Sequence, residues 1–232
     1  MKKSILFFFL AFFAISLQAQ NAKYLKAMKG QIAKLETAKS LEDYQAVANG
    51  FERIAKAEKT EWLPGYYHAY THIMMAATLM QKDPTSIDTY LDKAQASMDE
   101  VQKIAGDNSE VYALQAYLYQ ARIWPSPQSR GAQYTPLCYE FCAKAAAFDP
   151  SNPRPHYLKG QNTFYTPAFW GGGPEAALPH LKKADELYAA QDNSAELQPK
   201  WGRAINSMLL KKATAAGGNP KATSSAEKTI EN

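Results

Sequence analysis

Residues 143–160 read Ala-Lys-Ala-Ala-Ala-Phe-Asp-Pro-Ser-Asn-Pro-Arg-Pro-His-Tyr-Leu-Lys-Gly, and they constrain the fold more than any other stretch. An alanine-rich helix end runs into Phe148-Asp149-Pro150. Proline has no N–H and fixes φ, so Pro150 closes one helix, while Pro153 and Pro155 are tolerated in the first turn of the next. The result is a polar corner between two helices, the second carrying small Gly160 on its inner face. Elsewhere Ala, Leu, Lys, Glu, Gln and Met dominate, glycine and proline are sparse inside the periodic segments, and no stretch alternates like a strand. This pattern predicts helices at 22–38, 41–58, 62–81, 85–105, 109–123, 135–148, 154–165, 174–190 and 199–214. Trp124-Pro125-Ser126-Pro127 is expected to open a loop reaching to about Ala132.

Two stretches carry a repeat. Cys138, Cys142, Ala145 and Pro150 follow a small–bulky–small spacing with a terminal proline, and Ala177, Leu181 and Ala184 repeat the spacing after Pro174. The corner preceding them, Phe169-Trp170-Gly171-Gly172-Gly173-Pro174, is glycine-rich, which permits backbone turns closed to other residues. Together with the Asp-Pro junction, these features resemble the tetratricopeptide repeat, whose helix B ends in this way before the next helix A. The small inner residues of successive A helices are Ala69, Ala116 and Gly160, spaced 47 and 44 residues apart, longer than the roughly 34 of the family. The likeness is strong over 108–190 and weaker over 41–105. With its glycine corner and Trp201-Gly202, the chain is similar to small exported tetratricopeptide-type proteins of the Bacteroidetes kind. The resemblance implies an all-α fold: a right-handed helical-repeat solenoid of about three to four helix pairs with a C-terminal capping helix.

The first 19 residues are expected to be a cleaved signal peptide, with Lys2-Lys3, an apolar run from Ile5 to Leu17 and small Ala19 at its end. A single helical domain then spans 20–216, and a polar tail from 217 to 232 is expected to be disordered. The product is expected in the periplasm or secreted. Losing Lys2 and Lys3 leaves 24 of the 26 basic residues against 22 acidic ones, a balance unsuited to nucleic acid. Cys138 and Cys142, four apart on a helix, present their Cβ atoms side by side and suit a disulfide poorly, so they are read as buried thiols.

In the tetratricopeptide family, the groove-facing side chains lie at the fifth, ninth and thirteenth positions of helix A. The resemblance places Tyr66, Tyr70, Met74, Ala113, Tyr117, Ala121, Tyr157, Gln161 and Tyr165 there, five of them tyrosines. Tyrosine combines a broad apolar face with a hydroxyl at low entropic cost, which suits recognition. The candidate binding residues are therefore Tyr66, Tyr70, Tyr117, Tyr157, Gln161 and Tyr165, with Phe169 and Trp170 as a cap. These rings either line an open groove, converge on a closed cavity, or pack within the superhelix. Arg154, Arg122 and Arg130 are the nearest cations, too few to clamp a peptide carboxylate. His68 and His72 have a spacing that can place two imidazoles on one metal, but no third ligand is visible and no metal is assigned. Gly171-Gly172-Gly173 lacks the Lys-Ser/Thr of a phosphate loop. With no paired carboxylates or Ser–His–Asp spacing, no catalytic residue and no cofactor is assigned. The reading is a non-enzymatic scaffold or binding protein that holds a protein or peptide segment in an aromatic concave groove. The alternative is a periplasmic small-molecule-binding helical-repeat protein associated with transport.

Overall fold

In the computed structural model, residues 21–192 and 196–217 are described, and every regular element among them is helical. The leader 1–19 and nearly all of the tail lie outside the described residues. Helix α1 covers 21–37. It is followed by α2 (Leu41–Ala57), α3 (Leu63–Leu79), α4 (Ile87–Ala105), α5 (Ser109–Ile123), α6 (Pro127–Phe148), α7 (Arg154–Tyr165), α8 (Pro174–Ala190) and α9 (Arg203–Gly217). Short 3-10 turns at Pro84–Ser86 and Ala168–Trp170 precede α4 and α8. No described helix is long and apolar enough to cross a membrane.

The ends of the helices follow from local chemistry. Ser40 and Asp43 form a reciprocal capping box at α2, and Asn108 accepts from the backbone N–H groups of Glu110 and Val111 at α5. Gly106, at φ 61°, closes α4 in a left-handed conformation that a side chain would disfavour.

Successive helices pair as α3 with α4, α5 with α6 and α7 with α8, while α3, α5 and α7 neighbour one another, an arrangement consistent with a helical-repeat solenoid. The small inner residues set the spacing: Ala69, Ala116 and Gly160 are buried. A Cβ on Gly160 would stand 2.6 Å from Leu181 Cδ2, so α7 and α8 approach where only glycine fits. Cys138, Cys142 and Ala145 on α6, and Ala177, Leu181 and Ala184 on α8, are likewise buried, and both thiols are free. Each fully buried Leu, Ile or Phe contributes roughly 1.5–3 kcal/mol. Helices α3 and α5 are buried on most of their circumference, as expected of helices that are apolar all round.

Two boundaries differ from the sequence reading. Helix α6 begins at Pro127 rather than near 135, so the expected loop shrinks to Trp124–Ser126. Pro127 occupies the first turn, where its missing N–H costs nothing. Arg130 then sits on a helix rather than in a loop, and its guanidinium donates to both oxygens of Asp88 at 2.9 and 2.7 Å, clamping the new turn to α4. At the other end, α9 begins at Arg203 rather than 199. Gly202 takes φ 100°, and the preceding residues run outside any helix.

Candidate functional site

That non-helical stretch, 196–202, lies against the tyrosine-bearing side of α3, α5 and α7. Tyr67 on α3 donates its hydroxyl to the Leu197 carbonyl at 2.9 Å, Arg154 on α7 donates to the Pro199 carbonyl, and Tyr188 on α8 donates to the Trp201 carbonyl at 3.0 Å. The Trp201 indole N–H reaches Tyr66 Oη at 2.7 Å. Its ring lies nearly parallel to Tyr117 (5.3 Å, 18°) and to Tyr70 (5.6 Å, 22°), with Tyr157 edge-on at 6.3 Å. Tyr70 and Tyr117 are only 6.4 Å apart, so both lie on one side of the indole. A Cβ at Gly202 would stand 2.1 Å from Tyr188 Oη and 3.1 Å from the Tyr157 ring, so the segment can lie this close only with glycine there.

Beneath the segment is a polar knot. The Arg154 guanidinium, fully buried, is 2.7 Å from Glu110 Oε1 and 5.1 Å from the Trp201 ring. Tyr66 donates to Glu110 Oε2 at 3.3 Å, and Asn152 donates to Oε1 at 3.0 Å. Burial pushes the Glu110 carboxyl up, with Arg154 and the two hydrogen bonds pulling against it. Desolvation pushes the phenols of Tyr66, Tyr70, Tyr117 and Tyr157 well above their ordinary value, so they are neutral donors at physiological pH.

Of the residues expected to form a groove, Tyr66, Tyr117 and Tyr157 are thus gathered on one surface and buried, with Trp201 packed on or bonded to each. Tyr70 is half-buried and lines a cavity of about 280 Å³ between α1, α2, α3 and the segment. Ile32, Leu35, Tyr44, Tyr67, Met74 and Trp201 form its walls with Tyr70, while Glu36, Gln198 and Lys200 stand at its rim. Gln161 is half-buried, and its Oε1 accepts no hydrogen bond among the described residues. Tyr165, Phe169 and Trp170 are not part of this cluster; they stand at the α7–α8 corner, 64%, 80% and 74% exposed. The N–H groups of Gly171, Gly172 and Gly173 at this corner donate to the carbonyls of Ala168, Pro167 and Thr163, leaving none of the three for an anion. Arg122 and Arg130 are engaged by Asp88 and Asp92.

Trp201 is the residue of this cluster that the helix pattern misses. Its signal in sequence is the Trp-Gly pair at the expected start of a helix, where glycine is costly unless the backbone turns left-handed.

No protein-family model matches the chain, and no curated protein does. Among solved structures, the HusA haemophore from Porphyromonas gingivalis is similar, with a TM-score of 0.74 and 32% sequence identity. The match covers 83% of this chain and 93% of that one. This protein therefore belongs to the family of that haemophore.

Proposed function

We propose that this protein is an exported, non-enzymatic binder of haem or a closely related porphyrin, held in the cleft between α1–α3 and the 196–202 segment. The 32% identity to a haemophore across nearly the whole of its chain carries the reading. The cleft chemistry supports it: Tyr44, Tyr67, Tyr70 and Trp201 supply flat aromatic faces, Met74, Ile32 and Leu35 complete an apolar wall, and Lys200 at the rim suits a propionate. A volume of about 280 Å³ would enclose part of a macrocycle and leave one edge in solvent. The repeat is proposed to be of tetratricopeptide type over α5–α8, on the small–bulky–small burial described above. A peptide laid along the same tyrosine-bearing surface is a poorer reading, because the chain's own 196–202 segment already takes the hydrogen bonds of Tyr67, Arg154 and Tyr188. A protein partner fits better at the α7–α8 corner, where Tyr165, Phe169 and Trp170 are exposed.

The test is titration of haem, and separately of metal-free protoporphyrin, into the chain from residue 20 onward, read by the Soret band and by quenching of tryptophan emission. Saturable one-to-one binding, weakened at least tenfold in Tyr70→Ala and little changed in Phe169→Ala/Trp170→Ala, is expected. Absence of saturable binding would sink the function. Loss in the corner variant alone would move the site to that corner.

A further inference from the structure

We propose that His68 and His72 form a binding site for a borderline transition-metal dication, Zn²⁺ or Cu²⁺, distinct from the aromatic cleft. At roughly 100° per residue, positions 68 and 72 lie on the side of α3 opposite Tyr66 and Tyr70. There the helix faces α2 and α4 rather than the 196–202 segment. The two Nε2 atoms are 3.2 Å apart, with the rings perpendicular. Two imidazole nitrogens bound at 2.0–2.1 Å to one tetrahedral ion stand about 3.3 Å apart, so the pair already has the required bite.

The hydrogen bonds fix which lone pair is available. Ser97 Oγ lies 3.0 Å from the Lys93 carbonyl and 2.7 Å from His68 Nδ1; with its one proton given to the carbonyl, it accepts from a protonated His68 Nδ1, the tautomer this proposal takes. His68 Nε2 is then bare, and the N–H between the rings belongs to His72. An imidazole whose far N–H is held by an oxygen is the arrangement of a metal-binding histidine, and here the His68 Nε2 lone pair meets the His72 N–H, whose place an ion bridging the two rings would take. His72 needs only to move its proton from Nε2 to Nδ1, a buried atom without a hydrogen-bond partner, to present the second lone pair. Burial lowers both rings, His72 to about 3, so protons do not compete for these nitrogens at neutral pH.

The charges facing the pair are Glu52 and Lys56 from α2 and Lys93 from α4. Glu52 favours a cation and the two lysines oppose it. Among the described residues no group of three His, Cys, Asp or Glu could hold a metal, and His72 is 3% exposed, so the site proposed here needs water to enter from the half-buried His68 side to complete the coordination. Such a site selects ions that take imidazole readily and leaves Mg²⁺ and Ca²⁺ unbound.

The experiment is calorimetric titration of Zn²⁺ and of Cu²⁺ into metal-stripped, porphyrin-free protein, with Mg²⁺ as control and thermal melts alongside. One equivalent per chain and a raised melting temperature are expected. His68→Asn or His72→Asn should abolish binding, and Ser97→Ala should weaken it roughly tenfold. His156→Asn/His180→Asn should leave it intact. Because a buried histidine variant could unfold, histidine ¹⁵N spectra of the unsubstituted protein provide a second reading, in which Zn²⁺ must shift the Nε2 resonances of His68 and His72. Unshifted resonances, no saturable binding, or full binding by a folded His68→Asn protein would each overturn the proposal.

Discussion

Replacing Arg154 by methionine tests whether the 196–202 segment is held by charge or by packing. Methionine keeps most of the stem and removes the guanidinium. Glu110 is then left buried with only Tyr66 and Asn152 as partners, and the Pro199 carbonyl loses its donor. Removing one member of a buried pair costs about 3–5 kcal/mol, because the other charge stays in a poor solvent. A chain of this length loses about 2–4 °C per kcal/mol, so the melting temperature should fall by about 6–20 °C. The pH dependence has a definite sign. Burial already raises the Glu110 carboxyl, and losing Arg154 raises it further. A carboxyl with a raised folded pKa stabilises most below its unfolded value and loses that contribution as pH rises through its folded value. The gap in stability between the variant and the unsubstituted protein should therefore narrow between pH 7 and pH 5. Arg154→Met/Glu110→Gln removes both charges and should restore most of the loss. Urea and thermal unfolding of all four proteins at both pH values make the measurement. A loss below about 1 kcal/mol in Arg154→Met, or a double variant equal to the sum of the singles, would refute the reasoning.

Gly160→Ala puts a methyl group 2.6 Å from Leu181 Cδ2 and 3.2 Å from its backbone nitrogen, so a cost of about 1–3 kcal/mol is expected in urea unfolding. Gly131→Ala on α6 meets nothing within 4 Å and should stabilise by about 0.5–1 kcal/mol through helix propensity. Acidification should weaken the protein from pH 6.5 downward, because an unfolded histidine binds its proton near 6.5 while folded His72 resists until about 3. Comparing urea midpoints at pH 7 and 4.5 should show a shallower loss in His72→Asn than in the unsubstituted chain; equal slopes would exclude His72 as the cause.

How much was legible depended on how local the cause was. The Asp149-Pro150 corner, the Pro174 start and the small inner residues Ala69, Ala116 and Gly160 act within a few residues, and the helices they define stand where the sequence places them. Pro127 was ambiguous, since proline both ends helices and begins them. Asp88 and Arg130 decide the matter from 42 residues apart. The tyrosine positions follow from helical register, but their environment does not. Trp201 meets four of them, Tyr66, Tyr70, Tyr117 and Tyr157, from more than 40 residues away, and nothing periodic announces that a non-helical segment will lie there. Tyr165, Phe169 and Trp170 look the same as the buried rings in sequence, yet stand in solvent at the connection between α7 and α8.

The non-helical segment at 196–202 also changes how such a molecule should come apart. A stack of helix pairs is in effect one-dimensional, each unit touching only its neighbours, so its ends can fray independently. Here Leu197 bonds to Tyr67 and Trp201 to Tyr66, across 130 and 135 residues of chain. The line becomes a loop closed between its first and last repeats. Opening either end must break contacts belonging to the other, which couples distant repeats into a single cooperative unit.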